Sequence, residues 1–262
     1  MKIIVLIKQV PDSTDVKIDP VTNTLKREGV KSIINPFDVY AIEEAVRVRE
    51  KLGEGEVVVV TMGPPQAQDA LREAISLGCD SAVLLSDRKF AGSDTWATSY
   101  TLSQAIRKIG DPFLIFCGKQ ASDGDTAQVG PGVSTHLNIP QVTYVKKIES
   151  LDKKKAVVHR MTEEGYDIVE VPTPAVLTVV KEINDPRLPS LKGKMKAKSA
   201  QIPVWTAADL LCDADKIGLD GSPTRVMKIF TPTPREGGQM LKGETEEVAK
   251  KLADIVKEIA IG

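Results

Sequence analysis

Four stretches of the chain are continuously apolar and rich in β-branched residues: "KIIVLIK" from Lys2, "EVVVVTMG" from Glu56, "SAVLLSD" from Ser81 and "PFLIFCG" from Pro112. Apolar runs without polar alternation are what strands buried on both faces require. Between them the pattern changes to a helical period. "PFDVYAIEEAVRVREKLG" spaces its apolar residues for one helix face, with Asp38 as its N-cap and Gly53 as its stop. "PPQAQDALREAISLG" opens on prolines and closes on Gly78, and "SDTWATSYTLSQAIRKIG" runs from Ser93 or Asp94 as cap to Gly110. Strand and helix in alternation predict an α/β fold, a doubly wound and mostly parallel sheet with helices on both faces.

The texture changes from about Val145. "KKIESLDKKKAVVHRMTEEGYDIVEVPTPAVLTVV" reads as a charged strand, a Glu-Gly turn, another strand and a buried strand, an antiparallel extension of the same sheet. From Asn184 the chain is rich in proline and lysine, and the tail "SPTRVMKIFTPTPREGGQML" reads as irregular. It ends in one amphipathic helix over residues 245–260, with Val248, Leu252, Ile255, Val256 and Ile259 on one stripe. This organisation predicts an α/β nucleotide-binding domain over residues 1–198 and an extended C-terminal arm over residues 199–262. The arm has too few apolar residues to fold alone, so it is expected to pack on a partner. No internal repeat is present.

Charge narrows the partners. Lys and Arg number 35 and Asp and Glu 36, a net charge of −1, which argues against nucleic acid. The opening "MKIIVLIKQVPD" is broken by Lys8 after a short apolar run, so it is read as a strand rather than a leader or a membrane span. Cys79, Cys117 and Cys212 are widely spaced, with no CxxC, and suggest neither a disulfide framework nor a metal site. Buried thiols in a reducing cytoplasm are the expectation.

The candidate chemistry sits in "GKQASDGDTAQVGPG", Gly118 to Gly132, directly after a buried strand. Loops that feed helix N-termini at the carboxyl ends of strands hold anions in such sheets. Asp123 or Asp125 would cap the following helix, leaving the N–H groups of Thr126, Ala127 and Gln128 for a phosphate. Gly118, Gly124 and Gly130 would let backbone approach the ligand, and Gly124 reads as a position needing φ > 0. An ordinary strand-to-helix turn accounts for the same composition, and both readings stand on these residues alone. "KQVPD" from Lys8 and "TMGPP" from Thr61 would converge on the same sheet edge. There is no GxGxxG after the first strand and no GxxxxGK[ST], so neither a standard dinucleotide fingerprint nor a P-loop is supported. No side-chain acid/base constellation appears: His136 and His159 stand alone and read as structural, and Trp96 as packing.

Several separate blocks together resemble the β subunit of electron transfer flavoproteins. They are "VLIKQVPD", "INPFDVYAIEEAVR", "TMGPPQAQDALREAISLGCD", "GKQASDGDTAQVGPG" and "PAVLTVVKEINDPRLPSLKGKMKAKSAQIPVW", in family order from Met1 to about Ile229. The family's signature segment resembles "VHRMTEEGYDIVEVPTPAVLTV", with Asp167 where Glu or Gln is expected.

The resemblance implies a heterodimer with an α subunit that shuttles electrons, and the arm over residues 199–262, with its terminal helix, is then expected to pack on that α subunit. It carries nucleotide-binding roles onto Leu6, Ile7 and Lys8, onto Asn35, Phe37 and Asp38, and onto Met62 and Gly63. It carries them also onto Ala121, Ser122, Asp123, Gly124, Asp125 and Thr126, and onto Ala127, Gln128, Val129, Gly130, Pro131 and Gly132. In one branch of the family the nucleotide is AMP, and the loop is a crowded run of acids. Gly124 resembles instead the branch that holds a whole FAD and bifurcates electrons. That implies NADH as hydride donor, ferredoxin or flavodoxin as low-potential acceptor, and a second FAD on the α subunit feeding an acyl-CoA or other flavin dehydrogenase. No residue is expected to be catalytic, since the flavin carries the chemistry, and no turnover is expected of the chain alone. Residues 86–100 form a candidate NADH-side loop or a plain helix-capping loop. Leu191, Lys192, Gly193, Lys194 and Met195 match the family's dehydrogenase-docking loop. A non-bifurcating β subunit with structural AMP and a universal-stress-like nucleotide-binding module are the alternatives.

Overall fold

The computed structural model describes residues 1–12, 32–228, 238 and 240–261. They fall into two compact units, Met1–Met227 and Lys228–Gly262. The first unit begins β1 (Lys2–Leu6), β2 (Gln9–Pro11), β3 (Ser32–Ile34), α1 (Pro36–Leu52), β4 (Glu56–Met62) and α2 (Gln68–Ser76). It continues β5 (Ser81–Leu85), α3 (Thr95–Ile109), β6 (Pro112–Gly118), α4 (Val129–Leu137) and β7 (Gln141–Leu151). It closes with β8 (Lys155–Met161), β9 (Tyr166–Pro172), β10 (Ala175–Val179), α5 (Leu191–Ser199) and β11 (Val204–Trp205).

Nine strands form one sheet in the order β11-β5-β4-β1-β6-β10-β7-β8-β9. Every pairing from β11 to β7 is parallel, and β7-β8-β9 are antiparallel, so the predicted fold class holds. The continuous apolar runs follow from this placement. Along β1, Ile3 and Val5 enter one core with Ile42, Leu71 and Phe116, while Ile4 and Leu6 enter the other with Ile106 and Val133. Helices cover both faces, so neither side of the strand meets water.

Local signals held at several ends. Gly53 stops α1 in the left-handed region at φ 71°. Asp94 caps α3, its carboxylate accepting the amides of Trp96 at 2.9 Å and Ala97 at 3.0 Å. Two expectations about these elements need correction. Asp38 is not the cap of α1: Asn35 holds that place, and Asp38 lies buried in the first turn. The charged segment after Val145 contains two strands, because Asp152 turns the chain by accepting the amides of Lys154 (2.7 Å) and Lys155 (3.0 Å). The short sheet of β2 and β3 went unforeseen, its partners being three residues each and far apart in sequence.

Residues 200–227 lie in the first unit. Val204–Trp205 extends the sheet beside β5, and Ala207, Leu210 and Ile217 are buried. The two compact units meet after Met227. Residues 229–237 and 239 of the expected arm lie outside the described residues. The second unit carries α6 (Thr245–Ile261), which exposes Leu252, Val256 and Ile259. Among the described residues no helix is long and apolar enough to cross a membrane.

Candidate functional site

The strand order reverses at β1, which has β4 on one side and β6 on the other. Ligands of open α/β sheets bind outside the carboxyl ends of strands at such a point. Here the end of β1 leads to Ile7 and Lys8, and the end of β6 leads to the loop 119–128 before α4.

The Asn35–Asp38 turn ties these ends together. Asp38 accepts the amide of Lys8 at 2.8 Å on one carboxylate oxygen and that of Gly118 at 3.0 Å on the other. Asn35 donates its side-chain amide to the Gln120 carbonyl at 2.9 Å and accepts from the Ser122 amide at 3.0 Å. Burial pushes the Asp38 carboxyl up to about 7, against the opposing pull of the Lys8 amide, Asn35, the Gly118 amide and the Lys8 charge. Leu6 and Ile7 are buried, and Ile7 spends its amide on Val60 and its carbonyl on Thr61.

The two acids of the loop do not cap the helix. α4 begins at Val129 with Gln128 at the cap position and no side-chain cap bond. Asp123 instead meets Lys8, Oδ1 to Nζ at 2.6 Å, and Asp125 accepts the side-chain amide of Gln120. Both acids thus have a partner within the chain. Among the described residues the amides of Thr126, Ala127 and Gln128 donate no hydrogen bond. Asp125 and Ala127 hold φ at 56° and 55°, a conformation uncommon outside glycine and concentrated at functional sites.

The glycines divide by role. A Cβ on Gly118 would lie 2.5 Å from Phe37 Cβ, and one on Gly130 2.6 Å from Thr178 Cγ2. A Cβ on Gly132 would collide with Ser99 Oγ. At these three positions the chain packs against itself too closely for a side chain. Gly124 differs: its φ is not positive, and a Cβ there would meet nothing within 4 Å.

Lys8, Met62, Gly63 and Asp123 line one cleft of about 120 Å3, together with Gln9 and Gln66. Lys119, which the sequence did not single out, lies 5.0 Å from the Phe37 ring and 5.9 Å from that of Tyr144. His136 packs against Trp96 at 4.2 Å between ring centres, and His159 pairs with Glu149 at 2.7 Å, so each has a partner sequence spacing did not reveal. The 86–100 segment is laced to residues 218–224: Asp94 accepts the Thr224 amide at 2.9 Å and its hydroxyl at 2.8 Å.

The residues expected to dock a dehydrogenase, Leu191 to Met195, lie elsewhere, and on a helix rather than a loop. Leu191 opens α5, capped by Ser190 through the Gly193 amide at 2.9 Å. Gly193 rests directly on the Ser76 carbonyl of α2, where no Cβ would fit. Leu188, Leu191 and Met195 are all exposed.

A family model described as electron transfer flavoprotein domain matches residues 22–210. The chain is 52% identical over 255 residues to electron transfer flavoprotein subunit beta of Thermoanaerobacterium thermosaccharolyticum, covering 97% of each chain. It is 49% identical over 259 residues to the caffeyl-CoA reductase-Etf complex subunit CarD of Acetobacterium woodii, covering 98% of each. It is 46% identical over 266 residues to protein FixA of Sinorhizobium fredii, covering 99% of this chain and 92% of that one. On a fold whose switch point ends in this loop, matches of that length and depth leave one assignment: the chain belongs to the electron transfer flavoprotein family, as one of its β subunits.

Proposed function

We propose that this chain holds a complete FAD and, with an α subunit, splits electron pairs from NADH between a low-potential carrier and a partner dehydrogenase. The observation that carries the reading is the open position of Gly124 beside the amides of Thr126, Ala127 and Gln128, which donate no hydrogen bond among the described residues. An acidic side chain at 124 would project charge into that space. Its absence suits a diphosphate, which three backbone N–H groups can receive. The donor set therefore fits the group.

FAD, when bound, supplies both hydride acceptance and single-electron transfer. The chain's own residues bind and orient. Asn35 and Asp38 fix the loop 118–122 against the end of β1. Lys8 holds Asp123 aside. The α5 segment offers an apolar, cationic surface to a dehydrogenase. The relative named for a caffeyl-CoA reductase complex supports a partner acting on a CoA ester. Family membership sets aside the universal-stress-like alternative.

An anaerobic assay with flavodoxin as low-potential acceptor tests this. NADH should reduce flavodoxin only when the α subunit, the dehydrogenase and its CoA-ester substrate are all present. Reduction that ignores the CoA ester, or its absence from the full mixture, contradicts the proposal.

A further inference from the structure

The stem leading into α5, residues 184–190, is tied to α1 by an unusually dense set of contacts. Arg187 is its centre. Its Nε donates to Glu43 Oε2 at 2.7 Å, and its backbone amide reaches the same oxygen at 3.1 Å. Its two terminal nitrogens meet both oxygens of Glu50 at 2.7 and 3.0 Å. Glu43 is one helical turn from Arg47, which binds it at 2.5 Å and also donates to the Asp185 carbonyl at 2.9 Å. Asn184 adds bonds to the Tyr40 carbonyl at 3.1 Å and to Glu44 at 2.9 Å.

This is not a loose surface ion pair. The Glu43 side chain is 4% exposed and Arg187 35%. Burial raises the Glu43 carboxyl, but Arg187 and Arg47 outweigh it and hold the group below its ordinary value. A fork gripping two carboxylates fixes orientation as well as position, which a single ammonium cannot do. Without Arg187, Glu43 would keep only Arg47 as a charged partner, with much of its carboxylate out of water.

The far end of the same helix is the Asn35–Asp38 turn at the switch-point crevice. α1 is thus one rigid rod with the candidate nucleotide site at its start and the stem of α5 clamped along its length. We infer that Arg187 is a positioning residue, setting Leu188, Leu191 and Met195 at a fixed place relative to the crevice. This rests on the reading of α5 as the dehydrogenase-docking segment. Electron transfer between bound groups depends steeply on separation, so the placement of a docking surface matters as much as its stickiness.

The test uses Arg187→Met, Arg187→Lys and, as a separate control, Leu191→Ala, each in the full chain with its α subunit. Hydrogen exchange should speed roughly tenfold or more at amides 188–199 in Arg187→Met, a local opening, and stay unchanged in β1 and β6. Arg187→Lys should fall between, since it can satisfy one carboxylate but not two. With a purified short-chain acyl-CoA dehydrogenase as probe, KM for the dehydrogenase should rise about tenfold in Arg187→Met at unchanged kcat and flavin content. Unchanged exchange at 188–199 overturns the clamp, and so does exchange raised equally throughout the chain. If Leu191→Ala leaves KM untouched, the docking reading fails while exchange still judges the clamp. If Leu191→Ala raises KM and Arg187→Met does not, Arg187 has no positioning role.

Discussion

The carboxylate of Asp38 accepts the amide of Gly118 at 3.0 Å, joining the first turn of α1 to the end of β6 across 80 residues of sequence. Its other oxygen holds Lys8 at the end of β1. One buried group therefore pins the ends of both neighbouring strands that border the candidate site.

That position has a pH signature. Burial raises the Asp38 carboxyl from 3.8 to about 7 in the folded chain. The native state keeps the proton to higher pH than the unfolded one, so this contribution is full below pH 4 and is lost as pH rises through 7. The span is on the order of 4 kcal/mol at most. Asp38→Asn should flatten the stability curve between pH 4 and 7. It should also lose about 1–3 kcal/mol, since its amide cannot accept from both backbone donors. Urea unfolding across this pH range measures both; an unaltered slope counts against a titrating Asp38.

Two alanine substitutions on the same loop should part company. Gly118→Ala forces a Cβ to 2.5 Å from Phe37 Cβ and should cost about 1–3 kcal/mol by overpacking. Gly124→Ala has open space and an ordinary φ, and should stay within about 0.5 kcal/mol of the parent. Urea midpoints compare them directly; equal losses would refute the division of roles among the glycines.

The unit boundary gives a third expectation. A chain ending at Met227 keeps the nine-stranded sheet and both cores, so its thermal midpoint should move by no more than about 4 °C. In the present reading the removed α6 belongs to the α-subunit interface, where its exposed Leu252, Val256 and Ile259 would be covered. The shortened chain should fold and bind the α subunit poorly. Unfolding on truncation, or undiminished binding, contradicts this.

What could be read from sequence was whatever local chemistry decides. The strands showed because burial on both faces leaves no polar alternation, as at Ile3, Ile4 and Val5. Asp94 showed as a cap because its partners are two and three residues away. Asp38 carries the same local signature, yet its partners lie 30 and 80 residues away, so tertiary contacts override the cap. Asp123 was misplaced for the same reason, its partner Lys8 being 115 residues distant. The helix at α5 was hidden by its lysines and by Gly193, whose missing side chain is needed for contact with Ser76. The family resemblance pointed to the 118–132 loop and the 191–195 segment, but not to Asn35 and Asp38 spending their side chains on the protein.

The most direct measurement is a count of cofactors released from the purified heterodimer, made for the parent and for Gly124→Glu. The account predicts two FAD and no AMP per parent heterodimer. It predicts one FAD in Gly124→Glu with the fold intact, because a Cβ there meets nothing within 4 Å and the added carboxylate brings negative charge beside the amides of Thr126, Ala127 and Gln128, where a diphosphate is proposed to sit. One FAD and one AMP in the parent, or two FAD in the variant, would contradict it.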